Sequence, residues 1–285
     1  MVQADVAKTG EAFRRPTVGL ALGSGALRGL AHLGVLQAFL DHRVPIDLIA
    51  GSSIGALVGA VFSAGADPRW AMKLAAGLSW EHLIEVAMPR YGFVRGDRLL
   101  SMARVLTKNK TFADLCTPLT CVAVDLEKGA EVCLSEGNVA EAVRASCSIP
   151  GVFAPYRLDG RLLVDGGVLT RVPVEPLRRR GADVVVAIDV ASPVVEEVRI
   201  TNLMSIILRA IDIMEKEVFK SRSGRADVWI RPDLSGLSDT DLGQAPAYFE
   251  RGREAMEAAI PAVLELIGAG GAGAGVAGAD ATGTA

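Results

Sequence analysis

Histidine is scarce in this chain, and its placement excludes a great deal. His32, His42 and His82 are the only three, and none follows residue 82. They are not clustered as metal ligands. Cysteine is also sparse: Cys116, Cys121, Cys133 and Cys147 contain no C-x-x-C, so free thiols in a reducing compartment are expected. Neither sign of charge dominates; the net charge of −3 gives no nucleic-acid signature. The single basic run, Arg178-Arg179-Arg180 before Gly181, reads as the last turn of a helix with a glycine cap. The first fifteen residues lack an apolar core, so no secretory signal is expected and the protein reads as cytoplasmic. Leu48 to Ala66 is uncharged and near the ~20 residues of a membrane span, but glycines and serines interrupt it. A strand, turn and helix account for it better.

Apolar residues are plentiful. Half of the 285 residues are hydrophobic and the mean hydropathy is +0.34, enough for one large core. The expected organisation is a flexible segment over 1–15, one domain over 16–267, and a disordered Gly/Ala-rich tail over 268–285. Apolar runs near 17–22, 46–50, 120–125, 130–135, 161–164, 182–190 and 227–231 read as strands. Helical patterns fall near 27–42, 54–64, 139–147, 174–180, 201–219 and 246–267, with Asp67-Pro68, Ser79 and Asp97 opening others. Strands alternating with helices predict an α/β sandwich with a mainly parallel sheet.

Gly51-Ser52-Ser53-Ile54-Gly55 fits G-x-S-x-G between a strand and an apolar helix. This is the context of a nucleophile elbow, where neighbours without side chains let a serine occupy a tight turn. By itself the pentapeptide is equally a Gly/Ser turn before a core helix. A serine nucleophile needs a base. With no histidine beyond His82, the order Ser, acid, His of α/β-hydrolases is improbable, and His32 reads as packing beside the sheet. A carboxylate acting directly is the remaining option. Asp165 ends a strand and precedes Gly166-Gly167, which also suits a plain tight turn; Asp125 and Asp189 are second choices. The loop Gly23-Ser24-Gly25, between a strand and a helix, would present amides to an oxyanion. It would also cradle a phosphate, but it lacks a P-loop ending, and Arg28 stands where G-x-G-x-x-G has its third glycine.

Together, Gly23-Ser-Gly-Ala-Leu-Arg28-Gly29, Gly51-Ser-Ser53-Ile-Gly55, Asp165-Gly166-Gly167 and Arg144-Ala-Ser-Cys-Ser-Ile-Pro-Gly151 resemble the patatin-like phospholipase family, small bacterial members in particular. The resemblance spans about residues 17–190. It implies a three-layer α/β/α sandwich and a Ser–Asp dyad without histidine. Ser53 would be the nucleophile and Asp165 its base. Gly23, Ser24, Gly25 and Ile54 would offer oxyanion amides, with Arg28 steadying the loop and Gly29, Gly51, Gly55, Gly166 and Gly167 in support. Ser24 departs from the glycine common there. The family implies hydrolysis of phospholipid, lysophospholipid or other fatty acyl esters, with no metal or cofactor. An acyltransferase and a non-catalytic regulator or scaffold are the rivals. The apolar helix after residue 200 reads as core or as a surface in peripheral contact with a membrane. With Asp165 as base, the acidic limb of activity is expected below the histidine range unless burial dominates.

Overall fold

The computed structural model describes residues 14–78, 94–191, 200, 203–222, 224–238 and 240–268. Residues 1–13, residues 79–93 with Ser79 among them, and the tail after 268 lie outside the described residues.

Among the described residues, eight strands form one mixed sheet, in the order β5-β6-β3-β2-β1-β7-β8 with β4 paired to β3. Its centre is parallel: β1 (Val18–Leu22), β2 (Leu48–Ser52), β3 (Leu119–Asp125), β7 (Val184–Ile188) and β8 (Val228–Ile230). The other three, β4 (Ala130–Leu134), β5 (Tyr156–Leu158) and β6 (Arg161–Asp165), pair antiparallel. The central strands are buried on both faces, as unbroken apolar runs predict. Residues alternate between two cores. Val18, Leu20, Leu22, Val184, Val186 and Ile188 join the larger one. Ala21, Val185 and Ala187 join the smaller one on the opposite face.

Helices cover both faces. On the larger core lie α1 (Ala31–Asp41), α2 (Ile54–Ser63), α3 (Pro68–Ala76), α4 (Asp97–Leu106), α5 (Val139–Ser146) and α8 (Ala245–Leu266). On the other face α6 (Val174–Arg179) packs with Phe219 of α7 (Leu203–Arg222). This is the expected three-layer arrangement. Asp67 caps α3 by accepting the Trp70 amide at 2.9 Å, with Pro68 first in the helix. Asp97 is not a cap: Gly96 holds that position at φ 83°, and Asp97 is the first helical residue. The helix expected from residue 27 begins as a 3-10 turn, Ala26–Leu30, before α1. Each arginine of the basic run has a partner: Arg178 binds Asp227 at 2.6 Å, Arg179 binds Glu131 at 2.6 Å, and Arg180 donates to the Leu119 carbonyl at 3.0 Å.

The strands beside β3 fix where Ser53 and Asp165 lie. β4 occupies one edge, pairing Cys121 through Asp125. The other edge is divided: β2 sets Ser52 opposite Val122, and β6 sets Asp165 opposite Ala123. Since β2 runs parallel to β3 and β6 antiparallel, their C-terminal ends converge.

α1 and α8 cross backbone against backbone. A Cβ at Gly34 would strike the Phe249 carbonyl, and one at Gly252 the Ala31 carbonyl. Main chain cannot yield as a side chain can, so Gly34→Val should cost about 1–3 kcal/mol of overpacking. A urea midpoint unchanged from wild type would contradict this packing.

Candidate active site

At the end of β2 the chain turns sharply into α2. Ser53 takes φ 55° and ψ −122°, which a non-glycine residue adopts only when its surroundings enforce it, at about 1–3 kcal/mol. Gly51 and Gly55 make the turn possible: a Cβ on Gly51 would meet the Ala56 amide nitrogen, and one on Gly55 the Leu22 carbonyl. The Ser53 amide donates to Ser146 Oγ at 2.9 Å, and the Ser146 hydroxyl donates to the Val122 carbonyl at 2.6 Å. Thus α5 holds the strained residue to β3.

The converging strand ends bring Asp165 to Ser53. The Ser53 hydroxyl donates to Asp165 Oδ2 at 2.6 Å. Asp165 Oδ1 accepts the Gly167 amide at 2.8 Å, and the Asp165 amide donates to the Ser148 carbonyl at 3.0 Å. Asp165 is 3% exposed. Burial pushes its carboxyl up to about 6, opposed by the hydrogen bonds from Ser53 and Gly167. Burial therefore outweighs the hydrogen bonds, a balance the sequence leaves open, and the Asp165 carboxyl titrates close to the histidine range rather than clearly below it. The second-choice carboxylates are engaged elsewhere: Asp125 Oδ1 accepts the Glu127 and Lys128 amides at 3.1 Å, and Asp189 pairs with Arg171 at 2.5 Å.

The glycine-rich loop corrects the sequence reading in part. The Gly23 amide donates to the Ile188 carbonyl at 3.0 Å and the Ser24 amide to the Arg171 carbonyl at 2.9 Å. Both are consumed in holding the loop to its neighbours and offer nothing to an oxyanion. The amides of Gly25 and of Ile54, first residue of α2, form no hydrogen bond among the described residues. Arg28 and Gly29 lie in the adjoining 3-10 turn, where a Cβ on Gly29 would enter Ile54. His32, fully buried, donates through Nε2 to the Gly23 carbonyl at 2.8 Å. Burial pushes its imidazole down to about 4, so it stays neutral near pH 7 and braces the loop.

A cavity of about 160 Å³ opens over the pair, lined by Gly25, Arg28, Ser53, Asp165, Ile211 and Glu215 among others. Glu215 leaves no mark in the sequence, where it is one acid among several on an amphipathic helix. Buried Arg144 stands out there only as part of a motif. It donates to the carbonyls of Gly96 at 3.1 Å and Ala154 at 2.9 Å and to Ser148 Oγ at 2.6 Å. Its guanidinium also lies 5.5 Å from the Phe153 ring centre.

A family model for patatin-like phospholipases matches residues 20–178, more than half of the chain. An NTE family protein of Mycobacterium bovis is 40% identical over 176 residues, covering 61% of this chain and 49% of that protein. A lysophospholipase of Aspergillus fumigatus is 33% identical over 181 residues, covering 61% of this chain and 12% of that protein. The chain thus spans about half the length of the mycobacterial relative and far less of the fungal one. Among solved structures, VipD from Legionella pneumophila superposes with a TM-score of 0.59 at 16% identity, covering 89% of this chain and 67% of that one, a likeness of fold.

The buried carboxyl has a cost that can be measured. In the folded state Asp165 titrates above its ordinary value of 3.8, so its contribution to stability is complete below that value and is lost as pH rises through about 6. Asparagine suffers no such loss. The stability of Asp165→Asn relative to wild type should therefore grow by about 3 kcal/mol between pH 3 and pH 8. Denaturant titrations at both pH values check this; a difference independent of pH would mean that the carboxyl is not desolvated.

Proposed function

The chain belongs to the patatin-like phospholipase family, and from that membership we propose that it is a serine lipid acyl hydrolase of phospholipase A or lysophospholipase type. The observation that carries the reading is the 2.6 Å hydrogen bond from the strained Ser53 to buried Asp165. Asp165 takes the hydroxyl proton as Ser53 Oγ attacks an ester carbonyl. The unengaged amides of Gly25 and Ile54, the latter at the N-terminus of α2, receive the negative charge on the carbonyl oxygen. The resulting acyl-serine is then released by water, with Asp165 as base again. The substrate is a phospholipid, lysophospholipid or other fatty acyl ester. An acyltransferase would differ only in the acceptor that replaces water.

A fluorophosphonate should label wild type at Ser53 and leave Ser53→Ala unlabelled, with hydrolysis of a soluble ester lost in the same variant. Turnover by purified Ser53→Ala comparable to wild type would refute the nucleophile. The acidic limb of kcat/KM should lie near 6, where Asp165 titrates. It should stay in place in a His42→Gln, His82→Gln double variant, since buried His32 titrates near 4. A limb that moves in that variant would make histidine the base.

No described helix is long and apolar enough to cross a membrane. Peripheral contact is a separate part of the proposal. Ile206, Ile213 and Met214 of α7 are each half exposed or more, beside the cavity that Ile211 lines. Ile207, part of the same apolar run, is less exposed and is a poorer probe. Ile213→Asp should reduce hydrolysis of vesicle lipid and spare a soluble ester. Equal losses on both substrates, with a lowered melting temperature, would place Ile213 in a packing role instead.

A further inference from the structure

Resting on the hydrolase reading above, we propose that Glu215 is the general acid of the reaction, donating a proton to the oxygen that leaves when the ester bond breaks. Glu215 lines the same cavity as Ser53 and Asp165. It reaches that cavity from α7, on the other side of the sheet from the elbow helix. Gly167 marks the meeting point. A Cβ built there would lie 3.0 Å from Ser24 Oγ, 3.1 Å from Asp165 Oδ1 and 3.1 Å from Glu215 Oε1. Glu215 Oε1 and Asp165 Oδ1, the carboxylate oxygen that Ser53 does not bind, thus approach one point, as does Ser24 Oγ.

Two neighbouring carboxyls in a buried site do not both ionise at neutral pH, and the one kept neutral is the natural acid. Burial and then the charge of Asp165 push Glu215 up to about 7, with Asp212 acting in the same direction and Arg171 against it. The charged groups around the cavity are Asp165, Arg28, Arg171 and Asp212. Arg171 is already paired with Asp189 at 2.5 Å, and Asp212 with Arg209 at 2.8 Å and Lys216 at 3.0 Å. Glu215 has no ion-pair partner among the described residues. Asp165 accepts hydrogen bonds from Ser53 and Gly167, which favour its charged form, whereas Glu215 accepts none among the described residues, so the contacts suit Asp165 to the base and Glu215 to the acid.

The protons balance. Ser53 gives its proton to Asp165 as its oxygen bonds the carbonyl carbon. Glu215 gives its proton to the departing oxygen as the C–O bond breaks. Neutral Asp165 then gives its proton to water in the open cavity, and Glu215 takes one back from that water. Water attacks the acyl-serine and gives its proton to Asp165, which passes it to Ser53 Oγ as the carboxylic acid leaves. The pair ends as it began, with one proton and one negative charge.

Leaving-group dependence separates this role from a structural one. An alkyl ester, such as a lysophospholipid, expels an alkoxide that needs a proton; a nitrophenyl ester expels a stable phenolate that does not. Glu215→Gln should lower kcat on the alkyl ester on the order of a hundredfold and change the nitrophenyl ester less than about threefold. Glu215→Asp, which keeps an acid on a shorter arm, should recover part of the loss. In wild type, an alkaline limb near 7 should appear for the alkyl ester and be absent for the nitrophenyl ester, and this needs no variant to fold. Equal effects of Glu215→Gln on both esters, or a wild-type alkaline limb shared by both, would overturn the role of Glu215 while leaving Ser53 and Asp165 intact. Wild type inert toward both esters would overturn the hydrolase reading and this inference together.

Discussion

The Ser53–Asp165 contact depends on one feature of the sheet: two strands share a single edge of β3 and end against each other. β2 delivers Ser53 one residue past Ser52, which faces Val122. β6 arrives from the opposite direction and delivers Asp165 opposite Ala123. Neighbouring ladder positions are fixed by backbone hydrogen bonds, so the two side chains meet without either chain searching for the other. The supporting contacts brace this junction. Ser146 ties the Ser53 amide to the Val122 carbonyl, and the Ser148 carbonyl receives the Asp165 amide. Both serines come from the segment at the end of α5, and Arg144 in the same segment holds Ser148 Oγ. One short stretch of chain therefore positions Ser53 and Asp165 at once.

The same junction decides which parts of the site are legible in the sequence. Steric needs leave local marks. Gly51 and Gly55 flank Ser53 because a Cβ at either would meet main chain, and such a requirement shows as a pattern of glycine. Asp165 before two glycines is legible in the same way. Its strand direction is not. Reading Asp165 as a strand end on the carboxyl edge of a parallel sheet reaches the right position, but β6 is antiparallel and comes to that edge from the other side. The three-residue β5 that pairs with it carries too little pattern to be read. Direction is set by pairing with distant partners, and a single strand's composition does not record it.

Hydrogen-bond occupancy is the least legible property. Gly23, Ser24, Gly25 and Ile54 look equivalent as amide donors. The structure divides them, because Gly23 and Ser24 spend their amides on the carbonyls of Ile188 and Arg171, more than 140 positions away in the chain. The direction in which Asp165 titrates is equally hidden, since burial and hydrogen bonding oppose each other and their balance is a property of the assembled site. His32 shows the reverse case. Its place in an apolar helix argues for packing, and packing is what the structure gives, but with Nε2 aimed at the loop it supports.

The middle of α7 inverts the usual arrangement of a surface helix, and this links the chemistry to the covering of the site. A helix on a globular protein normally turns apolar residues inward and leaves acids in water. Here Glu215 reaches into the cavity, while Ile213 and Met214 beside it are 50% and 58% exposed. Stability alone does not favour that choice, since it desolvates a carboxyl and wets two large apolar side chains. Ile211, one turn before Glu215, lines the cavity with it, so the inward face is apolar at one turn and acidic at the next. Asp165 and Glu215 line one cavity, and burial raises both carboxyls. α7 therefore belongs to the wall of this cavity as much as to the outer layer of the fold.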